Sequence, residues 1–361
     1  MTKVARRRPQ SSAASAAPCA AEPENGCAPA FPDPEAAPRS GLEGPLAPES
    51  VRLMRRMIDD PMGRLLYLDH FGLRTAPFQI TPNPDFFFGA GDRGHLLYAL
   101  LYCLRHGNGI VTLTGEVGTG KTMLARMLLS CAPRLLDIAF IANPTLRRAE
   151  IVPVIADELG IDLSRAPAAQ GLRILQRALI ERYAAGRRVV LVIDEAHAMR
   201  SDALEEVRLL SNLESSSHKL LQILLIGQDE LRATLARPDQ RPLRERITQR
   251  FHLLPLQQAE VGAYLAFRLQ RAGAAADTFD PEAVRMIARA SLGLIRRINI
   301  LADKCLMAAF VAGVSQVRRS HVELALNDAA FQAIRMSTPA PAPTALGRLW
   351  RRYRLGRVGP D

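Results

Sequence analysis

An apolar run from Ile110 to Thr114 leads directly into Gly115-Glu116-Val117-Gly118-Thr119-Gly120-Lys121-Thr122, and a helix-period segment from Met123 to Ser130 leaves it. Few local patterns constrain a fold so tightly. A glycine-rich bend between a buried strand and a helix turns consecutive backbone N–H groups toward one point at the helix's positive end, and that point suits a phosphate. The N–H groups of Gly118, Gly120, Lys121 and Thr122 are expected to face it, with the Lys121 ammonium reaching the β- and γ-phosphates and the Thr122 hydroxyl bound to Mg²⁺. The chain holds only four lysines. With that composition the pattern arises by chance on the order of once in a thousand such sequences. The competing reading is a plain glycine-rich turn ahead of a helix.

A phosphate cradle serves kinases, GTPases and ATPases alike, so the residues downstream discriminate. Val189 to Ile193 is a continuous apolar strand candidate that ends in Asp194 and Glu195. At a strand's carboxyl end beside the cradle, Asp194 is placed to hold the hydration shell of Mg²⁺, and Glu195 to orient or deprotonate an attacking water. Acids complementing a helix dipole are the alternative. His197 completes Asp-Glu-Ala-His; a hydrogen-bonded histidine beside the site is its simpler role. The run Leu220 to Ile226 ends in Gly227-Gln228, where an amide that both donates and accepts can meet the γ-phosphate and the water together. Leu243 to Arg250 is dense in arginine. Arg246, ahead of Arg250 and Arg244, is the side chain expected to be offered to a neighbouring copy's γ-phosphate. Arg296, in the helix start Gly293-Leu294-Ile295-Arg296-Arg297-Ile298-Asn299, is placed to swing over the nucleotide from a lid, with an ordinary solvated arginine as the alternative.

The wider pattern gives these residues a frame. Near-continuous apolar runs at Ile110 to Thr114, Ile138 to Ala142, Val189 to Ile193, Leu220 to Ile226 and Phe251 to Leu256 predict a five-stranded parallel sheet covered on both faces by helices. From Gln257 the helical segments at about 257–272, 281–291, 295–312 and 319–334 follow one another without a strand. The expected organisation is an α/β nucleotide-binding domain over 61–256 and a small all-α lid domain over 257–334. An Ala/Pro-rich leader over 1–60 is expected to be disordered, with a short helix near 49–66, and a Pro/Ala linker with a basic tail fills 335–361.

Charge and cysteine usage narrow the setting. The formal net charge is +11, and residues 332–361 carry six basic side chains against one acidic. Such a tail suits anionic lipid, nucleic acid or an acidic partner without choosing among them. Five cysteines, an odd number with no C-x-x-C spacing, read as reduced thiols of a cytoplasmic protein. No apolar run reaches the length that a bilayer requires, and Arg6 to Arg8 lack a following apolar segment, so neither a membrane span nor a secretory signal is expected.

Together the glycine loop, the acidic strand end, Gly227-Gln228 and the arginine helix start resemble those of AAA+ ATPases. More narrowly, the chain resembles the general secretion pathway ATPases of the ExeA/GspA type and the MSHA pilus-biogenesis ATPases of the MshM type. Tyr67-Leu68-Asp69-His70-Phe71-Gly72-Leu73, Ala76-Pro77-Phe78, Thr81-Pro82-Asn83-Pro84, Leu209-Leu210-Ser211-Asn212-Leu213-Glu214 and Leu225-Ile226-Gly227-Gln228-Asp229-Glu230-Leu231 agree with that group, and the likeness covers about residues 66–330. It implies a P-loop AAA+ core with a helical lid, ATP held by Gly115 through Met123, Mg²⁺ at Thr122 and Asp194, and the base near Pro77 and Phe78. It also implies a homo-oligomer with an arginine finger acting in trans, in the service of a type II secretion or type IV pilus machine at the inner membrane.

The group's usual lid motif carries proline where Ile295 stands. Its secretion members often continue into a membrane helix and a peptidoglycan-binding domain, which these residues do not contain. Anchoring is then expected to be peripheral, through a partner or through an interfacial helix at Leu346 to Leu355, with a disordered basic tail as the alternative for that segment. The leader is not shared, and Met62 is an alternative beginning. The rival assignments are a DNA-associated, transposition-type ATPase acting with a transposase, and a nucleotide-gated scaffold with negligible hydrolysis.

Overall fold

The computed structural model describes residues 65–328 apart from 108, 133–135, 143, 165–166, 215–217 and 275–276. The leader, most of the expected helix near 49–66, and the linker and basic tail lie outside these residues. Strands β1 (Ile110–Gly115), β2 (Leu136–Ile141), β3 (Arg188–Ile193), β4 (Leu221–Gly227) and β5 (Ile247–Leu253) form one sheet in the order β2-β3-β4-β1-β5. Every pairing in it is parallel. Around and beyond it run α1 (Leu65–His70), α2 (Asp92–His106), α3 (Lys121–Cys131), α4 (Arg148–Glu158), α5 (Gly171–Ala184), α6 (Ser201–Leu210), α7 (Asp229–Ala236), α8 (Arg241–Glu245), α9 (Gln258–Ala272), α10 (Pro281–Ser291), α11 (Ile295–Val311) and α12 (Arg319–Asn327).

The continuous apolar runs follow from cover on both faces. In β4, Ile223 and Leu225 pack with Ile151, Leu175 and Val207 of α4, α5 and α6, while Leu224 and Ile226 pack with Leu100, Leu104 and Leu128 of α2 and α3. Each such fully buried side chain contributes about 1.5–3 kcal/mol relative to exposure. The fifth strand starts at Ile247 rather than Phe251, because its register runs from Ile247 opposite Ile110 to Leu253 opposite Gly115. It is an edge strand in which Thr248, Gln249 and Arg250 are exposed. A polar outer row of this kind hides a strand from any search for apolar runs.

A third core belongs to the lid. Tyr264, Leu265, Ile287, Ile298, Leu301 and Cys305 of α9–α11 are buried together with Leu68, Leu73, Phe78 and Phe88 from the segment ahead of α2. That segment therefore packs with the helices that follow the sheet, although it precedes the sheet in sequence. Helix α10 begins on a side-chain cap, Asp280 Oδ1 accepting from Ala283 N at 2.6 Å with Pro281 in the first turn. Between α10 and α11 stands Gly293 at φ +74°, where an added Cβ would lie 1.9 Å from Leu256 O. Only glycine lets the turn lie so close to the strand-to-lid connection, and Leu256 N donates to Gly293 O at 2.9 Å.

Candidate nucleotide-binding site

The loop after β1 has the conformation that the glycines predict. Gly118 at φ +83° and Gly120 at φ +98° carry the left-handed bends, and Gly120 is the N-cap of α3. Lys121 is buried, and its Nζ donates to Gly115 O at 2.9 Å and to Glu116 O at 3.0 Å. The ammonium is parked on the loop's own carbonyls. Desolvation lowers its pKa, and the carboxylates of Glu195, Asp194, Asp229 and Glu230 pull it back up. Thr119 is fully buried beneath the loop, its hydroxyl donating to Glu116 O at 2.8 Å.

Strand β3 delivers its acids to the same place. Asp194 Oδ2 accepts from Thr122 Oγ1 at 2.9 Å and Asp194 Oδ1 from the Glu195 N–H at 2.9 Å. Burial raises the Asp194 pKa, and those two donors oppose the rise. Glu195 sits at φ +52°, a left-handed conformation that a non-glycine residue adopts at a cost of about 1–3 kcal/mol and that turns its carboxylate into the cleft. Gln228 Nε2 lies 3.5 Å from Glu195 Oε2, at the outer limit of a hydrogen bond. His197 is beside the site, as expected, with its Nδ1 3.2 Å from Glu195 Oε2.

These groups open on one cavity of about 410 Å³, lined among others by Val117, Gly118, Gly120, Lys121, Thr122, Met123, Glu195, Gln228 and Arg296. Arg296 arrives from the lid, its N–H donating to Gly118 O at 3.1 Å, and a Cβ on Gly118 would touch the Arg296 Cβ at 3.0 Å. Gly115, Glu116, Thr119 and Asp194 stand behind this lining. Pro77 and Phe78 do not line the cavity; the wall there is Gln79 to Pro82, with Phe86 to Phe88 beside it. Phe78 is instead buried in the lid core, edge-on to Phe279 at 5.9 Å. Arg246 is remote. Its carbonyl accepts from Ile110 N at the amino end of β1, roughly 17 Å from the loop at about 3.3 Å per strand residue.

Sequence reasoning missed the side chains that hold the cavity's walls. Arg268 is buried, its Nε donating to Pro77 O at 2.5 Å and its Nη2 to Gln79 O at 3.3 Å, with the guanidinium 4.7 Å from the Phe86 ring centre. Asn299 Nδ2 donates to Gln79 O at 3.3 Å, and Tyr264 OH donates to Asn299 Oδ1 at 2.6 Å. Arg93 braces the loop from below, Nη1 donating to Thr119 O at 2.8 Å. Their signal was a polar residue at a helix position that the apolar spacing assigns to the core.

The site sits at the carboxyl ends of the strands, where open parallel sheets place their ligands. The AAA domain family profile matches residues 104–235. In sheet, loop and lid the molecule is a P-loop protein, and residues 104–235 form an AAA domain. Within that class it is similar to general secretion pathway protein A of Aeromonas hydrophila, 42% identical over 264 residues, which are 72% of this chain and 48% of that protein. The chain thus spans about half the length of this curated relative. Among solved structures, ORC2 of Aeropyrum pernix, in its ADPNP-ADP complexes, is 18% identical with a TM-score of 0.56, covering 73% of this chain and 72% of that one. Cdc6p of Pyrobaculum aerophilum is 19% identical with a TM-score of 0.55, covering 73% and 74%. At that identity the likeness is one of fold. No helix among the described residues is long and apolar enough to cross a membrane.

Proposed function

We propose that the cavity binds ATP with Mg²⁺ and hydrolyses it, and that closure and release of the lid remodel a component of a type II secretion or type IV pilus machine. The observation that carries this reading is the convergence of Lys121, Thr122, Glu195, Gln228 and the lid's Arg296 on one cavity, with Asp194 bonded to Thr122 behind it. A hydroxyl oxygen and a carboxylate oxygen 2.9 Å apart are hard ligands of the kind Mg²⁺ takes, so the donor set fits that ion. When bound there, Mg²⁺ would supply charge neutralisation for the phosphates.

The chain's own residues would do the rest. Lys121 would leave the Gly115 and Glu116 carbonyls for the phosphates, exchanging neutral acceptors for charged ones. Glu195 would accept the proton of the attacking water or orient it, and Gln228 would hold the γ-phosphate and that water in register. Arg246 cannot reach its own subunit's cavity, so a role at a γ-phosphate would fall to it in a second copy of the chain. The relatives support a nucleotide site, since the ORC2 structure is of ADPNP and ADP complexes, and the secretion assignment rests on general secretion pathway protein A.

The test is direct. Lys121→Ala should abolish binding of a fluorescent ATP analogue and phosphate release, and normal affinity in that variant would overturn the site. The same substitution in the producing cell should block secretion or piliation. If both proceed normally, the physiological half of the proposal fails while the biochemical half stands.

A further inference from the structure

Arg93, which is 6% exposed near the start of α2, donates to two main-chain carbonyls, and the two belong to different working parts. Nη1 donates to Thr119 O in the phosphate loop at 2.8 Å; Nη2 donates to Leu254 O at 3.0 Å. Leu254 is the first residue after β5, in the connection that becomes the lid. From there the contacts continue. Leu256 N donates to Gly293 O at 2.9 Å, the Gly293 turn leads into α11, and Arg296 N donates back to Gly118 O at 3.1 Å.

The result is a closed circuit from loop to connection to lid and back to the loop, and Arg93 is the side chain that bridges its first step. We infer that Arg93 is a positioning residue that couples the phosphate loop to the lid's hinge, so that a change in the loop on nucleotide binding is passed to Leu254 and onward to Arg296. The inference rests on the nucleotide reading above.

The chemistry of the side chain suits the role. A planar guanidinium presents donors in a fixed fork, so the two carbonyls are held at one separation, which a single ammonium cannot do. Desolvation lowers its pKa to about 10, with Tyr264 and Glu260 of α9 opposing, so it stays protonated at neutral pH. Arg93 also lines both the nucleotide cavity and a second depression, of about 330 Å³, between α2 and the β5–α9 connection. It is the wall between them.

The experiment compares wild type with Arg93→Lys, which keeps the charge and reaches one carbonyl at a time. Affinity for a fluorescent ADP analogue, kcat and KM for ATP, thermal midpoint, and hydrogen exchange at residues 254–257 and 293–296 with and without nucleotide are measured together. The expected result is an affinity within about threefold of wild type, kcat reduced at least tenfold, and loss of the nucleotide-dependent protection at 254–257. Arg93→Met should lose the protection as well, with a lower thermal midpoint because a buried and a part-buried carbonyl lose their donor. Wild-type kcat in Arg93→Lys with protection retained would overturn the inference, as would losses of affinity and kcat that only track the thermal midpoint. If wild type itself bound no nucleotide, the functional reading would fail first, and the two failures are distinguishable.

Discussion

Thr122 donates its hydroxyl to Asp194 at 2.9 Å across 72 residues of sequence, joining the first turn of α3 to the end of β3. The contact depends on strand order: β3 and β1 are not neighbours, and β4 stands between them. Helix α3 leans over the sheet so that its second residue meets the acid that β3 delivers. Asp194 is buried, and its two oxygens each accept one hydrogen bond from a group of the site. A cation bound there would meet the Thr122 hydroxyl oxygen once its proton turned away from Asp194, which would free one carboxylate oxygen at the same time.

Glu195 is the residue at which binding and turnover are expected to part. Its carboxylate is not among the hydrogen-bond partners of the phosphate loop, and its backbone holds a left-handed conformation. Glu195→Gln should therefore bind ATP within a few-fold of wild type while turnover falls by about a hundredfold or more. Single-turnover phosphate release measures this, and undiminished release would remove Glu195 from the role of base.

Arg246 gives a prediction about assembly. Because it lies at the amino end of the sheet beside Ile110, it can serve only a cavity other than its own. Arg246→Ala and Lys121→Ala should each turn over ATP at under about a tenth of the wild-type rate, taking the loss usual for an arginine finger. An equimolar mixture should regain activity, as one variant supplies the intact cavity and the other the intact arginine. A mixture no better than its parts would exclude Arg246, leaving Arg244 and Arg250 to the same assay.

The difference between what could be read in advance and what could not has a physical pattern. That the loop, Asp194, Glu195, Gln228 and Arg296 come together was legible because the chemistry expected of them calls for fixed residue types at strand ends and helix starts, and the strands β1, β3 and β4 because two-sided burial makes continuous apolar runs. Strand β5 was placed late because an edge strand keeps a polar row. Pro77 and Phe78 were expected near the base, whereas the cavity lining begins at Gln79; Phe78 is apolar enough to be either wall or core, and its contact with Phe279 places it in the core. Arg93, Arg268 and Asn299 act through main-chain carbonyls, which any sequence supplies, so nothing in their neighbours' identity marks them.

Asp303 predicts a pH dependence. Its carboxyl accepts from Tyr67 OH at 3.3 Å, and desolvation raises its pKa despite that bond and the nearby Lys304 charge. A folded-state pKa above the unfolded one means that the group's contribution is full at low pH and is lost as pH rises through the folded value, so the ionised carboxylate costs stability at pH 7. Asp303→Asn keeps an acceptor for Tyr67 and removes the charge. Its thermal midpoint should exceed wild type's at pH 7, and the gap should close as pH falls through the carboxylate range. A gap that widens toward low pH would reverse the sign and defeat the argument.

Gln222 offers a stabilising change far from the cavity. It lies in β4 opposite Val190, 2% exposed, and neither its Oε1 nor its Nε2 has a hydrogen-bond partner among the described residues. By strand alternation it shares the face of Leu224 and Ile226, whose neighbours are aliphatic residues of α2 and α3. Leaving buried polar groups unpaired costs about 1–3 kcal/mol, and an apolar residue of similar volume removes the cost. Gln222→Leu should therefore gain about that much in denaturant unfolding, with ATP turnover unchanged, because the residue sits at the end of β4 away from Gln228. Gln222→Ala should not share the gain, since the space left behind costs packing that leucine preserves. A lower denaturation midpoint for the leucine variant would mean that the amide finds partners in solution that the folded core does not give it.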